Sequence, residues 1–511
     1  MNVLDTKNGI ITKSDFTTGM VCEKLLWYKK IRPDLFPHLD TRLAEEGNLV
    51  GELARGLFPG VVTVTGSSME EKVRKTKELV NAGTPAIAEA AFLWKGLYCQ
   101  IDILLKKDFT YEIYEVKAVT SIRSKKGKVE DRFLYDVGFQ QYVITKEGIK
   151  VGRVCIVHLN GEYRRTGDLD IHKLFVTDDM TFESTLWAIN RNQVKENVER
   201  FHNYLKTNDK EPDARAMNTN CASISDPCPM RERCMEQLGC CDVWNLNGSF
   251  VKPQTKLKLF REGIVSFSDL AISGRIKSEE CRRHIEVELT GEDIIRKDAI
   301  QEFVKTTWSP LAYLDFETYQ LAIPEYDDQR PYEKMPFQYS IDIKMEPGGN
   351  LIHKEFLGDE TRDPRRELAE QLIQDIPRGS CVIVYNKAFE KGRLKELSKL
   401  FPDLAAELDE INDNVVDIMI PFKRADYYTK DMKRSYSIKK VLPALYPKDP
   451  SLDYSKLPGV KNGQEAMNRF LELRDMDEEE RKIEREGMLK YCGLDTFAMV
   501  MVHRALEEAV S

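Results

Sequence analysis

Three segments of strand length follow one another late in the chain: "LAYLDF" within 309–320, "FQYSIDIK" and "LIHKEFL". Each is rich in aromatic and branched residues and too short for a stable helix. A helical pattern, "RRELAEQLIQDI", comes next, then an apolar run "CVIVY" (381–385) and a second helix over 387–400. Three strands followed by alternating helix and strand predict an α/β layer on a mixed sheet. Upstream, helical stretches flank a strand-rich centre. There "LYCQIDILLKKDFTYEIYEVKAV" (97–119) holds two β-type runs around "KKDF", a hairpin pattern. "DVGFQQYVITKEG" after it reads as an amphipathic helix. Residues 242–308, with "KLKLFREGIVSFSDLAISGRI", read as a small helical connector. Near the end, "LKYCGLDTFAMV" (489–500) is helical, with one glycine and no proline. The expected organisation is therefore α/β and multidomain, with boundaries at 1–241, 242–308 and 309–511.

A chain of 511 residues is too long for one core. With 42% hydrophobic and 31% charged residues, its composition is that of an ordinary globular protein. No apolar run reaches membrane-spanning length, and "MNVLDTKNGIITKSDF" lacks the layout of a signal peptide. A cytoplasmic location and no membrane partner are expected. The net charge of −8 argues against indiscriminate coating of nucleic acid, while leaving room for a nuclease with local basic patches. In a reducing compartment the eleven cysteines are not expected to form disulfides.

Chemistry enters with the acids. "YLDFET" sets Asp315 and Glu317 two apart on a strand, so both side chains leave one face. Carboxylates that close repel unless a cation lies between them. Glu390 opens the helix after "VIVYN", where the macrodipole alone also favours an anion. Tyr491 and Asp495, four apart on the last helix, share a face. Hard carboxylate oxygens of this kind suit Mg²⁺ or Mn²⁺.

In order, "DFET", "NKAFE" and "YCGLD" resemble the three motifs of the DEDD exonucleases, the DnaQ-like branch of the RNase H-like fold. Tyr491-x3-Asp495 places the resemblance in the tyrosine subclass. It implies that Asp315, Glu317, Glu390 and Asp495 hold two metal ions and that Tyr491 orients the attacking water. Glu390 stands where the family usually has aspartate. Asp417, in "NVVDIMIPF", sits where many relatives carry another acid.

In the hairpin, Asp102 lies on the first strand, and Glu115 and Lys117 share one face of the second. Two acids and a lysine on a strand pair can bind a metal and steady a water or phosphate; a cross-strand ion pair is the plainer reading. Five cysteines fall between 221 and 241, and Cys22 stands some two hundred residues earlier. Thiols at such short spacing, in a proline-broken stretch, suit a metal or an iron–sulfur cluster. Together these features resemble the RecB-like PD-(D/E)XK nucleases with an iron–sulfur staple, as in CRISPR-associated members and the AddB helicase–nuclease subunit. The resemblance implies catalytic Asp102, Glu115, Lys117 and Gln140, with Asp102 and Glu115 binding metal. It also implies a [4Fe–4S] cluster on Cys22, Cys221, Cys228 and Cys234, with Cys240 or Cys241 as replacements and Zn²⁺ as the alternative occupant. A histidine expected early is absent; Glu52, beside Gly51, is the substitute. Ile144 occupies the family's usual tyrosine position.

Both resemblances in one chain are similar to a bacterial family that joins the two modules. The function expected is metal-dependent hydrolysis of phosphodiesters, with DNA as partner, RNA not excluded, and a helicase or another repair or defence protein possible beside it. "SIRSKKGK" (121–128) and "RADYYTKDMKRSY" (424–436) mix basic and aromatic residues suited to backbone contact and stacking. The competing expectation is a nucleic-acid-binding scaffold with degenerate sites.

Overall fold

A strand that reads "AIAEAAFLW" has too few polar positions to face water on either side, so it must be covered on both faces. In the computed structural model it is β3 (Ala86–Trp94), inside a seven-stranded sheet. Residues 9–36, 41–214, 217–222, 228–239, 242–449, 452, 456 and 459–511 are described; Cys240 and Cys241 lie outside them. The chain divides into two compact units. The first comprises 1–239 and Leu321–Tyr332, the second 240–320 and 333–511.

In the first unit, β1 (Ile11–Thr12) pairs in parallel with β4 (Leu97–Lys107). β2 (Val62–Thr63), β3, β4, β5 (Thr110–Lys117), β6 (Val151–Leu159) and β7 (Phe175–Asp179) lie side by side in chain order. The hairpin expected at 97–119 is β4–β5, antiparallel. β5 and β6 run parallel, which a tight turn cannot achieve; helix Asp131–Lys146 makes the crossover. One sheet face is covered by that helix together with Phe16 and Phe201, the other by Val50 and Ala54 of helix Thr41–Arg55. The stretch Leu321–Tyr332 completes the second face. Ala322 joins its core and donates its N–H to Glu46 Oε1 at 2.7 Å, while the Tyr332 hydroxyl donates to the Ala118 carbonyl at 2.7 Å.

In the second unit the sheet order is β11 (Leu351–Leu357), β10 (Met335–Lys344), β9 (Leu311–Tyr319), β12 (Cys381–Val384), β13 (Val415–Asp417). β9, β10 and β11 form an antiparallel meander, and β12 and β13 run parallel to β9. The mixed sheet and the helices Arg365–Asp375 and Lys387–Leu400 agree with the pattern read from the sequence. Side chains of β9 alternate between two environments. Ala312, Leu314 and Phe316 enter the core beneath those helices. Tyr313, Asp315, Glu317 and Tyr319 take the other face, where the last helix, Glu478–Val510, packs. The Tyr313 hydroxyl meets His503 Nδ1 at 2.8 Å there. The helices of the 242–308 stretch group with this unit, and its short strand β8 (Ile294–Ile295) pairs with β14 (Tyr427–Tyr428). Among the described residues, no helix is long and apolar enough to cross a membrane.

Phe16 is fully buried, with ring centroids 4.9 Å from Phe139, 5.7 Å from Phe201 and 6.3 Å from Trp187. Phe16→Ala is expected to destabilise the first unit by about 3–5 kcal/mol, read as a lower midpoint of its urea transition. An unchanged midpoint would show that this cluster does not hold helix Lys13–Val21 to the sheet.

Candidate functional site

The last helix brings Tyr491, Cys492 and Asp495 to the acid-bearing face of β9. Asp477 caps its start through the N–H groups of Glu479 and Glu480. It is tied to the sheet near the acids by three polar links: Gln338 Nε2 donates to the Met488 carbonyl at 2.9 Å, Ser340 meets Thr496 at 2.9 Å, and Thr496 donates to Asp342 at 3.0 Å. With the helix so held, ligand oxygens of Asp315, Glu317 and Asp495 all lie within 4.8 Å of one another. Cys492, between Tyr491 and Asp495 on that helix, approaches the Asp315 carboxylate at 3.7 Å.

Burial and crowding leave their mark on these acids. Burial first, then Asp495, Glu317 and Glu390, hold the Asp315 carboxyl well above the ordinary carboxylate range. Burial and Asp495 raise Glu317 as well, opposed by Lys439. Glu390 is 2% exposed and pushed up to about 8, by burial and then Asp417, and its Oε2 has no hydrogen-bond partner. Glu390 acts on Asp315 across the site, although it is not one of the three acids that converge within 4.8 Å. A Cβ at Gly463 would lie 3.2 Å from Glu317 Oε2, so the start of helix Gly463–Glu472 comes close to that carboxylate.

Two residues support the site, Lys439, which the sequence did not single out, and Asp417, which it did. Lys439 Nζ donates to the Tyr491 hydroxyl at 3.0 Å and sits 5.0 Å from its ring centroid; "SIKK" carries no signal for this. Asp417 fastens the turn ahead of Glu390. Its carboxylate accepts from the backbone N–H groups of Asn386, Lys387 and Met419, each at 3.1 Å, where Asn386 has a left-handed φ of 88°. It therefore positions Glu390 and has its own oxygens engaged by backbone.

In the first unit, β4 and β5 are paired from Ile103–Tyr114 outward. At the next step Asp102 Oδ2 takes the N–H of Val116 at 2.7 Å, so a side chain replaces the ladder bond. The opening so made is a cleft lined by Gly51, Glu52, Arg55, Glu89, Asp102 and Glu115. Glu52, Asp102 and Glu115 thus reach one cleft, while Gln140 donates from behind to Glu115 Oε2. Lys117 donates to Glu115 Oε1 at 2.8 Å and also to Asp136. Lys13, which the sequence did not single out, donates to the same Oε1 at 2.6 Å. Burial pushes Asp102 up, aided by Glu115; for Glu115 burial is outweighed by Lys117 and Lys13, which hold it low. Glu89, also unforeseen, has a φ of 55° inside β3 and pairs with Arg55 at 2.7 Å.

Cys22 precedes helix Glu23–Ile31, Cys221 lies in a short turn, Cys228 follows the undescribed 223–227, and Cys234 lies on helix Arg231–Leu238. All four are half-buried. Burial raises the Cys221 thiol, and Cys22, Cys228 and Cys234 raise it further. Four thiols from distant parts of the chain thus share one field. Cys99, Cys155, Cys281 and Cys381 are buried.

Residues 312–437 match a domain of unknown function, DUF2779. The match contains Asp315, Glu317, Glu390 and Asp417 and ends before Tyr491 and Asp495. The chain is 28% identical over 243 residues to the uncharacterized protein UU173 of Ureaplasma parvum, covering 42% of this chain and 34% of that protein. It is 26% identical over 244 residues to the uncharacterized protein MG366 of Mycoplasma genitalium, covering 42% and 35%. The chain thus spans about a third of the length of these relatives. No solved structure matches it.

A carboxyl with a raised folded-state pKa binds its proton more tightly folded than unfolded, so its contribution is full at low pH and lost as pH rises. For Glu390 the window runs from the ordinary 4.5 to about 8. In EDTA the melting temperature is expected to fall across that interval, less steeply in Asp315→Asn, and Mn²⁺ should remove the slope. A flat profile in EDTA would contradict the crowding of these acids.

Proposed function

We propose that this chain is a metal-dependent nuclease whose C-terminal centre hydrolyses phosphodiester bonds from 3′ ends, with a RecB-like DNA centre in the first unit. The observation that carries the reading is the convergence of Asp315, Glu317 and Asp495, from a strand and a helix far apart in sequence, within 4.8 Å and beside Tyr491. The sheet order, with an antiparallel meander and two parallel strands beside β9, supports an RNase H-like assignment. The hairpin with crossover helix in the first unit supports a PD-(D/E)XK one.

The C-terminal donor set fits Mg²⁺ or Mn²⁺: hard oxygens, crowded, with acids held above their ordinary range and a buried Glu390 oxygen lacking a partner. Asp315, Glu317 and Asp495, with Glu390, would hold the metal. When bound, it supplies Lewis acidity toward the attacking water and the departing oxygen. The chain's own residues supply the rest. Tyr491, whose hydroxyl accepts from Lys439, would orient the attacking water by a hydrogen bond, with no proton transferred to it. Water oxygen bonds to phosphorus and the bond to the 3′ oxygen breaks. A 5′-mononucleotide is released, and the water's proton ends on the new 3′ hydroxyl.

We assign Cys22, Cys221, Cys228 and Cys234 to a [4Fe–4S] cluster, supported by their mutual electrostatic coupling. Anaerobically purified protein is expected to be brown, with about four iron and four sulfide per chain, and Cys22→Ser should lose both. Colourless protein with one zinc would replace this assignment.

With Mn²⁺ and end-labelled single-stranded DNA, the protein should release mononucleotides. Asp315→Ala should slow release by on the order of a hundredfold or more while DNA retention in a filter assay persists. Release that survives the substitution would overturn the C-terminal assignment; retention without release by the unaltered protein would assign a binding scaffold instead.

A further inference from the structure

Glu115 carries one positive partner more than the RecB-like reading requires. Its Oε1 accepts from Lys117 at 2.8 Å and from Lys13 at 2.6 Å, and its Oε2 accepts from Gln140. Three bonds nearly exhaust a carboxylate's roughly four acceptor positions. A cation approaching the same group must find one of them vacated.

Lys13 is not there by the drift of a long side chain. β1 is pinned to β4 through Ile11–Leu97 and Thr12–Tyr98. Thr12 and Asp15 then cap each other's N–H groups at 3.1 Å, which starts helix Lys13–Val21 with Lys13 as its first residue. One turn on, Phe16 anchors the helix in the core. The Lys13 side chain is 23% exposed, and its ammonium feels Glu115, Asp136 and Asp102 together. Three acids there face two ammonium groups. In the C-terminal centre four acids, Asp315, Glu317, Glu390 and Asp495, crowd together near the ammonium of Lys439, which acts on Glu317 and hydrogen-bonds the Tyr491 phenol.

We propose that Lys13 is a built-in counter-ion of the first centre. Its ammonium holds Glu115 Oε1 where a divalent cation would bind, so that Mg²⁺ or Mn²⁺ enters only by displacing it. The first centre therefore binds metal more weakly than the second. This rests on the reading of two metal-dependent centres, and Lys13 is a positioning residue in it.

The test is a Mn²⁺ titration of the full chain, with free Mn²⁺ followed by electron paramagnetic resonance. Asp315→Ala should remove the tight sites and leave weak binding. In that background Lys13→Met should tighten the remaining binding by about tenfold or more, equivalent to about 1.4 kcal/mol, and Lys13→Arg should leave it weak. Lys13→Gln serves if circular dichroism shows that Lys13→Met does not fold. Unchanged or weaker Mn²⁺ binding in the neutral variant would overturn the counter-ion role while leaving the nuclease reading intact. Tight sites that persist in Asp315→Ala would overturn the C-terminal metal centre instead, and no binding by the unaltered chain would overturn both.

Discussion

The mutual repulsion of Asp315, Glu317 and Asp495 is the constraint around which the second unit is built. Two unit charges within 4.8 Å at an effective dielectric near 20 repel by roughly 3 kcal/mol or more. Three such pairs amount to about 10 kcal/mol, comparable to the whole stability of a typical domain. The fold can carry that load only if protons or cations relieve it, and the raised carboxyls are the protonic answer. The mechanical answer is the set of fastenings along the last helix. Gln338, Ser340, Thr496, Asp342 and the Tyr313–His503 pair hold it against β10 and β9 on either side of Asp495. Buried polar links of this kind are costly unless satisfied, so they mark where the helix must not slide.

Much of this was legible because it depends on short-range geometry. The period of two in β9 put Asp315 and Glu317 on one face and Leu314 and Phe316 on the other, which the cores reproduce. The four-residue spacing put Tyr491 and Asp495 together. The hairpin runs of 97–119 and the crossover helix were equally local. What escaped was long-range or lacked periodicity. Lys13 reaches Glu115 across 102 residues, and Lys439 reaches Tyr491 across 52. Nothing distinguishes such lysines from solvated ones until the fold exists. The excursion of Leu321–Tyr332 into the first unit was hidden because its anchors, Ala322 and Tyr332, read as ordinary loop residues between two strands.

Asp417 shows a different limit. The resemblance singled it out only as standing where many relatives carry another acid. The structure spends its two oxygens on three backbone N–H groups around Asn386. A left-handed residue at the head of a helix costs on the order of a kilocalorie, and the aspartate stabilises the turn that incurs it. The reward is the direction of Glu390, which as a glutamate has one more rotatable bond than aspartate and so depends more on a fixed starting point. The longer side chain of Glu390 and the backbone clamp ahead of it are thus two halves of one local arrangement.

The two acid centres solve the same electrostatic problem in opposite ways. Glu115 is kept ionised by two ammonium groups and an amide, so the protein itself supplies the compensation. Asp315 lies among acids with a thiol, Cys492, as its hydrogen-bonding neighbour, a far weaker compensating group. Internal compensation favours a stable cleft whatever the ionic surroundings; four acids with Lys439 as the nearby ammonium leave a site where a further positive charge is favoured. Crowded hard oxygens favour a small divalent ion over a proton as pH rises, because the ion can satisfy several carboxylates at once and a proton only one. The four coupled thiols of the first unit repeat that logic with soft donors, whose preference runs to iron–sulfur or zinc. Donor chemistry and charge balance, residue by residue, therefore separate three sites in one chain by what each would bind.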